Sequence, residues 1–378
     1  MIPNEAQELV RDTARQFART RLAPASRQWE AAGAFPREVL DELGALGFLG
    51  MTVPEELGGA GLDYVSYALA LMEVAAGDGA LSTLMSVNNA PVCAILRASG
   101  SEYQQREFLR PLARGAMIGA FALTEPHAGS DAANLKTVAR RVAGGYALTG
   151  VKQFITSGAI AGVTITFAVT DRAAGKRGIS AFVVPAGRKG FSVARVESKL
   201  GQRASDTAQL VYEDVFVEDE LRIGAEGDGY RIALTNLETG RIGIAAQSVG
   251  MAGAALEQAL AYARERQSFG RPLVSHQAPL FRLADMATEL EAARELALSA
   301  AALKDAGRPC LKEACMAKLY ASEAAERIAS AALQLFGGYG YVTDYPIEKI
   351  YRDLRVCQIY EGTSDVQRML IGRALLEL

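Results

Sequence analysis

Histidine and cysteine are scarce in this chain of 378 residues, which has two of the former and four of the latter. Cys93, Cys310, Cys315 and Cys357 form no C-x-x-C motif, and Cys310 and Cys315, five apart, do not share a helix face. With only His127 and His276 beside them, a zinc site or a Cys-His dyad has little to build on, and no metal is expected. The cysteines read as reduced and buried. Charge of one sign is also missing: 40 Lys and Arg face 43 Asp and Glu, mixed along the chain. That balance argues against nucleic-acid binding, which needs a concentrated basic face, and no like-charge run suggests a polybasic anchor. No apolar run reaches the length expected of a bilayer-spanning helix, so no membrane partner is expected. The opening residues, MIPNEAQELVRDTARQFART, lack an apolar signal core and carry Glu5, Glu8 and Asp12, which transit peptides avoid. They read as a first amphipathic helix, and a cytoplasmic location is expected.

What is present is apolar bulk, 50% of the residues, and enough length for two or three domains. Residues 1–117 read as an N-terminal α-helical domain. VLDELGALGFLG and YVSYALALMEVAAG carry helical stripes, with a glycine-rich loop between them. Over 118–225 the period shortens. In VTITFAV, Val163, Ile165, Phe167 and Val169 alternate with Thr164, Thr166 and Ala168, and similar short runs follow. This predicts a central antiparallel β-barrel or sandwich. Over 226–378 long helices return. One carries a wide apolar face (Ile242, Ala245, Ala246, Val249, Leu256, Leu260), a second starts near Pro279, and a third has Pro309 near its first turn and stops at Gly337-Gly338. With a last helix after Ser364, they predict a C-terminal four-helix bundle.

Five loops carry more specification than connectors require. IYEGTSDVQR sets Glu361 before a helix whose Ser364 and Gln367 fit a capping box. A helix start attracts anions, although a plain acidic residue there also complements the helix dipole. FALTEPHAGSD offers hydroxyls and free N–H groups, or simply turn residues. KQFITSG places Phe154 two residues from Thr156, on one face if the strand is regular. RERQSFGRPL reads as a helix end with a glycine C-cap, and QLFGGYGYVTDYP as another.

Together, LTEPHAGSD, KQFITSG, RQSFGRPL, QLFGGYGY and IYEGTSDVQR stand in the order and spacing of the acyl-CoA dehydrogenase family. The chain resembles that family over nearly its whole length. STLMSVNN and LETGRIGIAAQSVG are most similar to the short-chain, butyryl-type members. The resemblance implies the acyl-CoA dehydrogenase fold, FAD as cofactor, an acyl-CoA substrate, an electron-transferring flavoprotein as partner, and a homotetramer built as a dimer of dimers. It makes Glu361 the base that removes the α-proton while the β-hydride passes to flavin N5, giving a trans-2-enoyl-CoA. A carboxylate is a weak base, with an ordinary pKa of about 4.3, so burial has to raise its proton affinity.

By the same resemblance, Phe121, Leu123, Thr124, Gly129 and Ser130 hold the flavin edge, with Phe154, Ile155 and Thr156 against its ring. Arg266, Phe269 and Gln277, then Gln334, Gly337 and Gly338, hold FAD of a neighbouring subunit. Thr363, Ser364 and Asp365 meet its ADP half. Ser130, Glu238, Thr239, Gly240, Arg241 and Gly362 match the substrate segments. Some family members carry the glutamate at the place of Gly240, so here Glu361 has no rival. Butyryl-CoA, a branched acyl-CoA and a carrier-bound acyl group remain open as substrates. An oxidase or monooxygenase and a non-catalytic scaffold are further readings of the same fold.

Overall fold

The computed structural model describes residues 1–377. The chain begins with eight helical segments: α1 (Glu5–Phe17), α2 (Ala23–Ala32), α3 (Arg37–Ala45), α4 (Tyr64–Gly77), α5 (Gly79–Val87), α6 (Ala94–Ser99), α7 (Glu102–Gln104) and α8 (Arg110–Ala113). Local signals start several of them. Asn4 and Gln7 form a reciprocal capping box on α1, and the carboxylates of Asp63 and Asp78 accept from the first turns of α4 and α5. The stretch Gly79–Ser99 is, against the sequence expectation, long and apolar enough to cross a membrane, with mean hydropathy 1.3. It is buried inside the fold, and its helix is interrupted at Ala90, which leaves helical geometry.

The sheet follows: β1 (Gly119–Ala122), β2 (Val138–Val142), β3 (Gly145–Thr156), β4 (Val163–Val169), β5 (Ile179–Pro185), β6 (Phe191–Val196), β7 (Thr207–Glu218) and β8 (Arg222–Ile223). Its order is β6-β7-β3-β2-β4-β5-β8, with β1 beside β4. The pairing is mostly antiparallel, but β1 and β2 both meet β4 in parallel, a mixture the expectation of an antiparallel domain left out. The predicted half-buried face of β4 is also corrected: Val163 through Ala168 are all buried. Thr164 and Thr166 tolerate this because they bond each other at 2.9 Å, and Thr166 bonds the Tyr212 hydroxyl of β7 at 2.9 Å.

Helices then return as α9 (Gly229–Glu265), α10 (Gln277–Asp305), α11 (Leu311–Phe336), α12 (Ile347–Leu354) and α13 (Ser364–Leu375). The fourth expected long helix, α13, has only 12 residues and packs on α11. From Thr239 to Ala252, α9 is buried all round, which is more than one wide face. The reason is that α4 and α5 cover the side left free by α10 and α11. Two details near helix ends differ from expectation. Pro309 lies just outside α11, whose N-cap is Cys310. Gly270 is no helix cap: with Phe269 it turns a hairpin between β9 (Gln267–Ser268) and β10 (Arg271–Pro272), both turn residues having positive φ. A buried chain of charges ties distant segments together. Lys349 of α12 bonds Asp353 at 2.6 Å and Asp78 at 3.3 Å, while Gln202 donates its side chain to the Asp353 carbonyl at 3.0 Å.

Candidate active site

The last helix is capped by Thr363, whose hydroxyl accepts from the Val366 N–H at 3.3 Å. The cap is one residue earlier than the sequence pattern predicts, so Ser364 and Gln367 do not form a capping box. Gln367 turns back instead, its Nε2 donating to the carbonyls of Glu361 (3.2 Å) and Gly362 (2.9 Å). Glu361 and Gly362 both take positive φ, +54° and +90°. This sharp reversal turns the Glu361 side chain back against α9.

There the carboxylate meets a gap made by Gly240. A Cβ at that position would stand 2.6 Å from Glu361 Oε2 and 3.0 Å from its Cδ, so any larger residue would collide with the acid. Oε2 is buried and has no hydrogen-bond partner. Burial pushes the Glu361 pKa up to about 7, against the opposing charges of Arg241 and Lys318. Arg241, itself buried, also leaves its Nε without a partner. Two buried polar atoms without partners, on an acid and on a cation that acts on it, leave hydrogen-bonding capacity for a polar ligand. Thr239 is buried beside them, whereas Glu238 is engaged elsewhere, accepting from Lys304 (2.8 Å) and Cys310 (3.3 Å).

A second set of predicted residues gathers where β3 meets the loop after β1. The Gln153 N–H donates to the Thr124 carbonyl at 2.9 Å, and buried Lys152 bonds the Leu123 carbonyl (3.0 Å) and Glu125 (2.8 Å). Phe154 and Thr156 do not follow regular alternation. A bulge lies between Lys152 and Ile155, with Phe154 at φ +58°, so Phe154 is 63% exposed while Ile155 is buried and Thr156 half-buried. Leu123 is buried, Phe121 and Thr124 are half-buried, and Gly129 and Ser130 are exposed.

Three domain families match the chain in order: "Acyl-CoA dehydrogenase, N-terminal domain" over residues 4–116, the middle domain over 120–215 and the C-terminal domain over 227–376. The chain belongs to the acyl-CoA dehydrogenase family. It is 45% identical over 372 residues to the mitochondrial short-chain specific acyl-CoA dehydrogenase of Rattus norvegicus, covering 98% of this chain and 90% of that one. The structure of butyryl-CoA dehydrogenase from Megasphaera elsdenii superposes with a TM-score of 0.96 at 41% identity, covering 100% and 99% of the two chains. A chain from a structure described as the electron transferring flavoprotein of Acidaminococcus fermentans matches at TM-score 0.98 and 42% identity, over the whole of both. This acyl-CoA dehydrogenase is therefore an FAD-dependent oxidoreductase.

The residues present fit FAD. The exposed Phe154 ring offers an aromatic surface beside Thr156, and at the start of α13 the Ser364 hydroxyl is buried without a partner. A capped helix N-terminus of this kind suits a phosphate, and Asp365 beside it is exposed. Arg266, Phe269 and Gln277 stand apart from Glu361, exposed on the hairpin after α9 and the start of α10. The Arg266 guanidinium lies 5.6 Å from the Tyr339 ring centre, which brings this group to Gln334, Gly337 and Gly338, all exposed at the end of α11. Among the described residues no cluster of three or more His, Cys, Asp or Glu side chains could hold a metal ion.

Sequence reading missed two groups beside the acid. Tyr67 of α4 is buried and bonds Ser86 at 3.2 Å; its hydroxyl would stand 2.8 Å from a Cβ at Gly243, one turn along α9 from Gly240. Lys318 of α11 is fully buried. Its signal was in the sequence: a lone lysine on the Ala314–Ala321–Ala325–Ile328 stripe of a helix, where an apolar residue is expected.

Proposed function

We propose that this enzyme converts a short-chain acyl-CoA, butyryl-CoA being the preferred test substrate, into the trans-2-enoyl-CoA, with Glu361 as the base. The observation that carries this reading is the Glu361 carboxyl group seated in the gap at Gly240, its Oε2 unpartnered and its proton affinity raised by burial. An acid held this way is a stronger base than a solvated carboxylate once ionised. It removes the pro-acidic α-hydrogen of a thioester placed between it and the bulged strand. The Glu361 backbone N–H, which finds no acceptor among the described residues, is free to donate to the thioester oxygen and steady the charge that develops there. Arg241, Thr239 and Gly362 line the substrate side, and Ser130 meets the CoA end. FAD, when bound, supplies the two-electron acceptor for the β-carbon. Phe121, Leu123, Thr124, Gly129, Phe154, Ile155 and Thr156 hold its ring, and Thr363, Ser364 and Asp365 its ADP half.

The match to a chain from the electron transferring flavoprotein structure supports an electron-transferring flavoprotein as the acceptor of the electrons. The exposed Arg266, Phe269, Gln277, Gln334, Gly337 and Gly338 serve FAD bound in a neighbouring subunit of a homotetramer, and the enzyme works in the cytoplasm. The three domains span 1–117, 118–225 and 226–378; a division there is supported by the change from helices to strands before β1, which starts at Gly119, and back to helices at α9, which starts at Gly229.

An anaerobic titration of the purified flavoprotein with butyryl-CoA, octanoyl-CoA and isobutyryl-CoA, following the oxidised flavin band, tests the reading. Bleaching at the lowest concentration by butyryl-CoA is expected. Bleaching by none of the three would refute an acyl-CoA of this class, and preferential bleaching by octanoyl- or isobutyryl-CoA would refute the short straight chain.

A further inference from the structure

Glu361 needs something to hold it. A glutamate at φ +54° is strained, and it is followed at once by a second left-handed residue, Gly362. Two side chains bond the carbonyls of this turn. Lys318 Nζ donates to the Gly362 carbonyl at 2.8 Å, and Gln367 Nε2 donates to the same oxygen at 2.9 Å and to the Glu361 carbonyl at 3.2 Å. Both residues are fully buried. Lys318 has no carboxylate within 4.0 Å among the described residues, so its ammonium group is spent on a single backbone oxygen. A buried lysine without a counter-ion costs stability, and a neutral donor would bond a carbonyl more cheaply.

We infer that Lys318 and Gln367 are positioning residues for the base: together they clamp its turn, and Lys318 alone adds a buried positive charge that favours the ionised form of Glu361. This rests on Glu361 being the base. The groups facing the pair can be named from each packed element. Arg241 of α9 and Lys318 of α11 act on Glu361, and Tyr67 of α4 senses its charge. Cys357, Glu361, Arg241 and Cys315 act on Lys318. Burial pushes the Lys318 pKa down to about 8, toward the raised value of Glu361. The two residues differ in a way that experiment can separate. Removing Lys318 takes away a bond and a charge; removing Gln367 takes away bonds only.

The test is anaerobic single-turnover flavin reduction by butyryl-CoA between about pH 6 and 9 in Lys318→Met, Lys318→Gln, Gln367→Leu and Glu361→Gln. The Lys318 variants should move the acid limb upward by roughly half a pH unit or more, because the acid then ionises without its buried cation. Gln367→Leu should lower the plateau about tenfold and leave the limb in place. A Lys318 variant with a lower rate and an unmoved limb would show a merely structural role and overturn the electrostatic half. Wild-type plateaus in both Lys318→Gln and Gln367→Leu would overturn the clamp. Should neither Lys318 variant fold with FAD, Gln367→Leu decides: a wild-type rate sinks the inference, and a tenfold loss with butyryl-CoA still bound upholds the clamp. Activity persisting in Glu361→Gln would bring down the base reading itself, whereas an inactive Glu361→Gln beside unaffected clamp variants would bring down this inference alone.

Discussion

At the scale of single residues, the proposed chemistry rests on one carboxyl group whose ionisation is opposed by its own burial. Glu361 has its pKa pushed from 4.5 to about 7, so kcat/KM for butyryl-CoA should rise with pH through about 7 and level off above it. The same shift has a consequence for stability. Between an unfolded pKa of 4.5 and a folded one of about 7, the folded chain binds more protons, so this group's contribution is present at low pH and lost as pH rises through that window. Glu361→Gln, neutral throughout, should therefore melt higher than the wild type at about pH 8 and lose that advantage toward about pH 5. Calorimetry at the two pH values checks the sign, and flavin reduction in the variant should fall by several orders of magnitude. Gly240→Ala separates activity from stability further. Alanine favours the helix by about 0.5–1 kcal/mol, yet its Cβ would displace a carboxylate oxygen only 2.6 Å away. A retained or higher melting temperature with roughly a hundredfold slower flavin reduction is expected. The turn that carries the acid was legible as a local pattern, Glu361 before Gly-Thr-Ser, and the resemblance alone pointed to it as the base. The placing of Lys318 and Tyr67 beside it was not, because packing between α4, α9 and α11 sets it; the lone lysine on an apolar stripe marks Lys318 as unusual without saying what it meets.

At the scale of elements, the informative places are where regular geometry stops. β3 was readable as a strand, but its bulge was not, since alternation places Phe154 and Thr156 together and only the pairing with β7 reveals the extra residue. The hairpin at Phe269-Gly270 likewise looks in sequence like a helix cap, because the same glycine serves either end. The cap of α13 was one residue off because Thr363 and Ser364 are both good caps, and the turn at Glu361 selects the first. β3 and the loop after β1 are joined by a buried ion pair: Lys152 and Glu125 are 0% and 2% exposed, and Glu125 also accepts from the N–H groups of Lys136 (2.7 Å) and Thr137 (3.0 Å). Lys152→Met would leave that carboxylate buried without its cation. A loss of about 3–5 kcal/mol is expected, seen as a lowered denaturant midpoint, with FAD lost more readily on gel filtration. Lys152→Met combined with Glu125→Gln should recover part of the loss.

At the scale of the whole molecule, the three segments of the chain are stitched by buried polar contacts as well as by apolar packing. Asp78, Gln202 and Asp353 come from different segments, and Lys349 sits among them. The outline of helices, sheet and helices was legible because each segment keeps one period over a long stretch; the stitching was not, because its partners lie far apart in sequence. Phe269 (95% exposed), Tyr341 (88%), Phe281 and Leu280 leave an apolar surface on the helical part, of the kind that another subunit covers. On the homotetramer proposed above, Arg266→Ala, which removes the cation near Tyr339, should release FAD and shift the assembly toward smaller species in light scattering. A tetramer that keeps its full flavin content would refute the placement of Arg266. The buried stretch Gly79–Ser99 bears on how the protein is made. Its cover includes α9, where Gln247 donates to the Gly79 carbonyl at 2.9 Å and to Thr83 at 2.6 Å. A ribosome delivers α9 only after β1 to β8 have emerged, so for that interval the nascent chain carries this apolar segment without that part of its cover.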